Sequence, residues 1–356
     1  MRVTSSIVSA AAVLLAGLAG FAGREAWAQA APPAPAPTPD QLMATAQQLL
    51  RAGDRAGAIA SLRSAVALDP KHGSAGLLIT TLHQDDRVEE AYAIGDRYRR
   101  EGPRNPRALF RFGWVLAFTG EIARAEALYR DLVVLDKGGI YEAWGNGELS
   151  YLARARGEPA LAVEHMRRAV AAKPDDVISR VGLAQMMINA GAGANADAAA
   201  GAAAGAGAVR EAVPLLEAEL AKNPAAVGYG GMPAPIVLGW AYRLLGDDAA
   251  AAKWFATLEA ARAAGAWARE PARELAFLAV SGRRDEALQL AARTPHILLY
   301  GAPDPHDRMF DSLVGAPEYE ALLQRSRAKV DAERKRLGWE AVTRGDGAAP
   351  AVKRPG

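Results

Sequence analysis

Hydrophobic and polar positions in residues 236–261 follow two helical periods that are separated by a short polar turn. In each half, apolar residues recur every three to four positions, namely Leu238, Tyr242 and Leu245 in the first and Ala251, Phe255 and Leu258 in the second. Residues at this spacing lie on one face of an α-helix. The turn between them is Gly-Asp-Asp at residues 246–248, where glycine ends one helix and aspartate starts the next. The pattern therefore predicts a helix hairpin.

The same pattern recurs along the chain, and the position of Ala251 shows its register. Equivalent alanines stand 33 to 50 residues apart at Ala58, Ala91, Ala125, Ala162, Ala212 and Ala287. Four of them are followed twelve residues later by proline, at Pro70, Pro103, Pro174 and Pro224. Proline at that place ends the second helix of a hairpin and separates it from the next one. The register predicts seven hairpins over residues 40–295.

This hairpin resembles the tetratricopeptide repeat (TPR), whose signature is matched here by Leu238, Gly239, Tyr242, Ala251 and Phe255. The resemblance implies an all-α fold, a right-handed superhelical solenoid of about seven helix hairpins with a C-terminal capping helix. Some repeats depart from the signature, since Gly95 and Ala291 stand in the place of Phe255.

The fifth repeat contains a low-complexity insertion at residues 190–208, composed almost entirely of Ala, Gly, Asn and Asp. In other repeats twelve residues separate the packing position of the first helix from the alanine of the second, whereas Ala184 and Ala212 are 28 apart. The excess of sixteen residues predicts a loop outside the core.

The C-terminal part is predicted to contain a capping segment at residues 296–338 and a disordered tail at residues 339–356. The capping segment resembles a motif found after TPR arrays in bacterial proteins, on the basis of Phe310, Asp311, Leu313, Pro317, Tyr319, Leu322 and Leu323. Its closing helix has a basic face formed by Arg325, Arg327, Lys329, Arg334, Lys335 and Arg336. We interpret this face as a solvated helix end, and an anionic-lipid or nucleic-acid site is the alternative.

The N-terminus has the features of a secretory signal peptide at residues 1–28. Arg2 precedes an apolar run at residues 7–22, and Ala26-Trp27-Ala28 forms a cleavage site. A retained membrane anchor is the alternative interpretation. Residues 29–39 then form a Pro/Ala linker. Cleavage predicts a periplasmic or secreted protein without an integral membrane span.

Composition and motifs exclude several kinds of chemistry. The chain has no cysteine, so disulfides, thiolate metal sites and a lipid-modified cysteine are ruled out. Residues 191–196 match a loose dinucleotide pattern, but they follow a helix instead of a strand. The five histidines lack metal-binding spacing, and no nucleophile elbow is present. We therefore expect no enzymatic activity, no cofactor and no metal.

Candidate binding residues come from the TPR resemblance, in which the first helix of each hairpin lines a concave groove. The positions that would face this groove are Phe110, Trp114, Phe118, Trp144, Tyr151, Arg154, Gln185, Asn189, Trp240 and Arg243. Trp, Tyr and Arg are the residue types that dominate interface hot spots. Filling of gaps between repeats is the alternative role for the aromatic residues. We expect Trp114 and Trp240 to face the groove, and Phe112 and Tyr242, two residues away in each helix, to face the core.

Two functions remain open at this stage. The first is an exported scaffold or adaptor that binds a protein or peptide segment in its groove, in envelope assembly or a secreted complex. The second is an accessory or catalytic component of cell-envelope polysaccharide or peptidoglycan metabolism, with the aromatic side chains stacking on sugars. Net charge is only +2, and an exported chain does not meet genomic nucleic acid, so no nucleic-acid partner is expected.

Overall fold

A computed structural model describes residues 36–100, 105–193, 199–265, 270–297 and 306–340. The regular elements in these ranges are fifteen α-helices and two short 3₁₀ helices, Tyr229–Gly231 and Arg308–Leu313. The α-helices are α1 (Pro39–Ala52), α2 (Arg55–Leu68), α3 (Ser74–Gln84), α4 (Val88–Arg100), α5 (Pro106–Phe118), α6 (Ile122–Leu135), α7 (Ile140–Ala155), α8 (Pro159–Ala172), α9 (Val177–Gly193), α10 (Ala199–Lys222), α11 (Ala234–Leu244), α12 (Asp248–Ala263), α13 (Pro271–Val280), α14 (Arg284–Arg293) and α15 (Pro317–Arg336).

The first fourteen helices pair in chain order into seven hairpins, from α1 with α2 to α13 with α14. From α3 onward the first helices of successive hairpins also contact one another. We call α3, α5, α7, α9, α11 and α13 the inner helices. Each hairpin contacts mainly its neighbours in sequence, which is the organisation of a repeat solenoid. The predicted all-α solenoid, with seven hairpins and a C-terminal capping helix, is confirmed.

The turns inside the hairpins are built on glycine. Gly53, Gly120, Gly157, Gly246 and Gly282 each follow the first helix of a hairpin with φ between 78° and 87°. Glycine reaches this left-handed region without steric cost, so it ends the helix and lets the chain reverse. The second hairpin differs, because Asp86 takes the left-handed conformation there with φ 59°.

Close contact within a hairpin depends on the small residue of the TPR signature. A Cβ atom on Gly239 would lie 2.4 Å from Cε1 of Phe255, and one on Gly113 would lie 2.5 Å from the ring of Tyr129. Glycine therefore leaves the space that the aromatic ring of the second helix fills.

The buried apolar side chains form two clusters along the array. One extends from Ala46 to Leu152 in the first four hairpins, and the other extends from Tyr151 to Leu323. Trp144 packs against both clusters, so the two parts of the core meet at α7.

The insertion at residues 190–208 is not a loop in the part that the structure describes. Residues 190–193 continue α9, and residues 199–208 form the first turns of α10. A Cβ atom on Gly191 would lie 2.5 Å from the carbonyl oxygen of Gly205, so the backbones of the two extended helices are in close contact. The loop prediction is wrong for these residues, because alanine favours helix and glycine allows two helices to approach closely.

The capping segment packs on the last hairpin and extends beyond it. Leu313 and Leu322 are fully buried, and α15 lies against α14. Trp339, which the sequence analysis assigned to the disordered tail, packs edge-on against Tyr92 with ring centroids 4.9 Å apart. The packed segment therefore continues beyond α15, because a large aromatic side chain there finds an apolar partner on α4.

The predicted signal peptide, most of the linker and residues 341–356 lie outside the described residues. None of the helices within the described ranges is both long and apolar enough to cross a membrane.

Candidate partner-binding groove

Four inner helices, α5, α7, α9 and α11, carry the ten predicted groove residues. Helices α5 and α7 contact each other, as do α7 and α9, and α9 and α11. The ten residues therefore lie on neighbouring helices, and they fall into three parts with different properties.

The first part is an aromatic cluster that we define as Phe110, Trp114, Tyr141 and Trp144. The ring centroid of Phe110 lies 5.5 Å from those of both Trp114 and Trp144, and 5.9 Å from that of Tyr141. Phe110 is buried, whereas the other three side chains are half-buried and keep part of their surface in solvent. Phe118 extends the cluster along α5, with its centroid 6.4 Å from that of Trp114.

Trp114 is held in place by two charged groups that the sequence analysis did not single out. Its Nε1 donates a hydrogen bond of 2.7 Å to Oε1 of Glu148, which is fully buried in α7. The guanidinium carbon of Arg111 lies 4.0 Å from the centre of the Trp114 ring, in cation–π contact. The available signal was that Glu148 lies in the middle of an inner helix, where burial of a carboxylate requires a partner.

The second part is a polar cluster that we define as Tyr151, Arg154, Gln185 and Asn189. All four side chains are buried. The Tyr151 hydroxyl donates a 3.0 Å hydrogen bond to Oε1 of Gln185, and the Arg154 guanidinium carbon stacks 4.9 Å from the Tyr151 ring centre. The structure thus brings these four predicted residues together from two adjacent hairpins.

The polar cluster is covered by the chain's own C-terminal segment. Arg154 forms an ion pair of 3.2 Å with Asp307, and Nδ2 of Asn189 donates a 3.3 Å hydrogen bond to the same carboxylate. The Gln185 amide nitrogen lies 3.9 Å from the sulfur of Met309. The expectation of an open groove is wrong here, because the 3₁₀ helix Arg308–Leu313 lies against both α9 and α13.

The third part, on α11, does not form a shared surface. Trp240 is only 5% exposed and belongs to the core, whereas Arg243 is exposed and lies 3.9 Å from Asp248. The expectation that Trp240 is open to a partner is therefore wrong. Tyr242, expected in the core, is half-buried, and its hydroxyl donates a 2.6 Å hydrogen bond to Glu217. This bond raises the pKa of Tyr242 to about 12.

Four of the six basic residues of α15 differ from the expected solvated face, whereas Arg327 and Lys335 are exposed. Arg325 donates to the carbonyl oxygen of Ala291 at 2.7 Å, and Arg336 donates to Glu89 at 2.6 Å. Lys329 and Arg334 likewise pair with residues of the second and third hairpins. These cations are engaged because α15 spans from the last hairpin to α4.

That the protein binds no metal stays an expectation. The described part of the chain contains no group of His, Asp and Glu residues that would hold a metal ion. A shallow depression of about 240 Å³ lies on α14 and the start of α15, away from the groove, and is lined by Asp285, Leu288, Gln289, Ala292 and Glu318.

No protein-family model and no curated protein matches the chain. Among solved structures it is similar to a TPR protein from Parabacteroides merdae, at 12% identity and a TM-score of 0.44, over 81% of this chain and 98% of that one. It is similar to PilW, a type IV pilus biogenesis factor, at 18% identity and a TM-score of 0.44, over 62% of this chain and 92% of that one. PilF of Pseudomonas aeruginosa is similar at 14% identity and a TM-score of 0.44, over 62% of this chain and 90% of that one. Similarities at these values do not indicate what the chain binds.

Proposed function

We propose that this protein is an exported scaffold that binds a protein or peptide segment through the aromatic cluster of its inner helices. The observation that carries the proposal is the arrangement around Trp114, whose indole is fixed by Glu148 and Arg111 while part of the ring remains exposed. A side chain that is already held in one position loses little conformational freedom on binding.

The composition of the cluster supports a protein partner. The few residues that contribute most of the binding energy in protein interfaces are enriched in tryptophan, tyrosine and arginine. Trp114, Trp144 and Tyr141 supply apolar surface, and Arg111 supplies charge beside it. The cluster combines residues of α5 and α7, two inner helices that contact each other, so a segment bound there would touch two adjacent hairpins.

Site-specific photo-crosslinking in living cells tests this proposal. A photoreactive amino acid at Trp144 should attach to a defined protein, because that side chain is part of the aromatic cluster and is only half-buried. The same probe at Val134, which is 78% exposed on α6, is the matched control. Capture of the same species from both positions, or of none from Trp144, would contradict a binding site at the cluster.

Export is a separate part of the proposal and rests on Ala26-Trp27-Ala28. N-terminal sequencing of the protein from fractionated cells should give a chain that begins near Gln29, in the periplasmic or secreted fraction. Recovery of the uncleaved chain, beginning at Met1, from the cytosol would contradict export and the proposal that the partners are envelope or secreted proteins.

Stacking on a glycan is the second candidate, and the half-exposed indole rings of Trp114 and Trp144 are the observation that favours it. Binding of the purified protein to peptidoglycan and envelope polysaccharide distinguishes the two. Retention on a glycan that is lost in Trp144→Ala, without capture of a protein in the crosslinking experiment, would favour this alternative.

A further inference from the structure

Residues 306–309 occupy the polar cluster in a way that differs from ordinary capping. From Phe310 onward the 3₁₀ helix belongs to the cap, since Phe310 stacks on Tyr319 and Ser312 bonds to Ala279 and Arg284 of the last hairpin. Asp307 and Met309 instead contact α7 and α9, in the fourth and fifth hairpins.

The contacts that hold residues 306–309 are made by buried polar side chains. Arg154, Gln185 and Asn189 are all more than nine-tenths buried. Burial of polar groups costs free energy unless the groups are paired with one another. Apolar side chains of similar size would hold a capping segment equally well, so packing alone does not require these polar residues. A buried arginine and a buried asparagine that both donate to one carboxylate form a geometrically specific binding site for an acidic side chain.

The polar cluster continues directly into the aromatic cluster. Trp144 and Tyr151 lie seven residues apart on α7, which is close to two helical turns and places them on the same face about 10 Å apart. An extended chain covers about 3.3 Å per residue, so about three residues of a bound segment would connect the two clusters. Arg154, which pairs with Asp307, lies three residues beyond Tyr151 on α7, so about two further residues of the segment would reach the place where Asp307 now lies.

We propose that residues 306–309 are an internal ligand of the groove, and that the external partner carries an acidic side chain followed two residues later by an unbranched apolar one. The partner's acidic side chain takes the place of Asp307 between Arg154 and Asn189. Its apolar side chain takes the place of Met309 beside Gln185. This inference rests on the proposed function, because it names the chemistry of the segment that the groove binds.

A peptide in trans tests the inference without knowledge of the partner. The probe is a fluorescent, N-acetylated peptide with the sequence of residues 306–312, His-Asp-Arg-Met-Phe-Asp-Ser. Because a tethered ligand competes at a high effective concentration, the peptide should bind the wild-type chain weakly. In the full-length Asp307→Asn variant, residues 306–309 bind the polar cluster less tightly and compete less with the peptide. We therefore expect the affinity of this variant for the peptide to be about tenfold higher or more.

Three controls make the result specific. Adding Arg154→Gln to Asp307→Asn should abolish binding, and a peptide with asparagine in place of its first aspartate should bind no variant. Ser312→Ala lies in the same 3₁₀ helix but contacts the last hairpin, so it should leave the wild-type affinity unchanged. Circular dichroism melting of each variant establishes that it is folded before binding is measured. Equal binding to wild type and Asp307→Asn, or no binding to either, would overturn the internal ligand.

The crosslinking experiment separates this inference from the proposed function. If the peptide behaves as expected but Trp144 captures nothing in cells, the proposed function fails and the internal ligand stands. If Trp144 captures a protein and Asp307→Asn does not increase the yield, the function stands and the internal ligand is refuted. A captured segment without an acidic side chain would also refute it.

Discussion

At the scale of single residues, Trp240 and Arg243 show how neighbours on one helix meet different environments. Both were expected on the groove surface of α11, yet Trp240 is enclosed in the core and Arg243 remains in solvent. Helical spacing defines the direction of a side chain from its own helix axis, but burial depends on which other elements lie in that direction. Neighbouring inner helices α9 and α13 contact α11, and the spacing within α11 holds no information about them.

Truncation of these two residues should therefore have opposite consequences for stability. Trp240→Ala should lower the free energy of unfolding by about 3–5 kcal/mol, which is typical for removal of a buried aromatic side chain. Arg243→Ala should change it by less than about 0.5 kcal/mol, because the side chain is exposed and its ion pair is solvated. Urea unfolding followed by circular dichroism measures both. A small effect at Trp240 would mean that its indole is not part of the core.

At the scale of elements, the hairpins were predictable because each depends on a local pattern. A glycine that faces an aromatic ring, as at Gly239 and Phe255, is a property of one hairpin and repeats with the register. The insertion in the fifth hairpin was not predictable in the same way. An Ala/Gly sequence lacks the apolar periodicity that distinguishes helix from loop, and the contact between Gly191 and Gly205 appears only when two helices are placed side by side.

Two glycine-to-alanine substitutions within this hairpin test the helical extension. Gly191→Ala should destabilise the protein by about 1–3 kcal/mol, because the new Cβ would meet a backbone carbonyl at 2.5 Å. Gly207→Ala is the matched control, since no heavy atom lies within 4 Å of its Cβ position in α10. It should stabilise the helix by about 0.5–1 kcal/mol. Thermal unfolding of both variants shows whether each substitution raises or lowers stability. Identical effects would mean that the extended ends of α9 and α10 do not pack on each other.

At the scale of the whole molecule, α15 connects the last hairpin to the second and third. We call these contacts the clasp, which consists of the pairs His83–Glu333, Asp86–Lys329, Asp86–Arg336, Glu89–Arg336 and Glu121–Arg334. Asp86 adopts the left-handed conformation that glycine provides in five other turns, and its carboxylate pairs with two cations of α15. The sequence predicted the capping helix from a local motif. It did not predict the clasp, because the partners are 213 to 250 residues apart and no local spacing relates them.

Lowering the pH should break the ion pairs of the clasp and release α15 from the second and third hairpins. Burial acts to raise the pKa of Glu333, but His83 and Lys329 outweigh it and hold the pKa below its usual 4.5, while a hydrogen bond from Lys329 holds that of Asp86 below 3.8. A carboxyl with a lowered pKa binds protons more tightly in the unfolded chain. Its contribution to the stability of the folded state is therefore complete above about pH 5 and is lost as the pH falls towards 3.

Hydrogen exchange of the backbone amides in residues 327–338 tests this expectation. After correction for intrinsic rates, exchange there should increase between about pH 5 and pH 3 by more than exchange in α9. Asp86→Asn, which tolerates the same backbone conformation, should raise exchange in these residues already at pH 7. If acid and Asp86→Asn leave residues 327–338 as protected as α9, apolar packing around Trp339 holds α15 in place and the ion pairs do not.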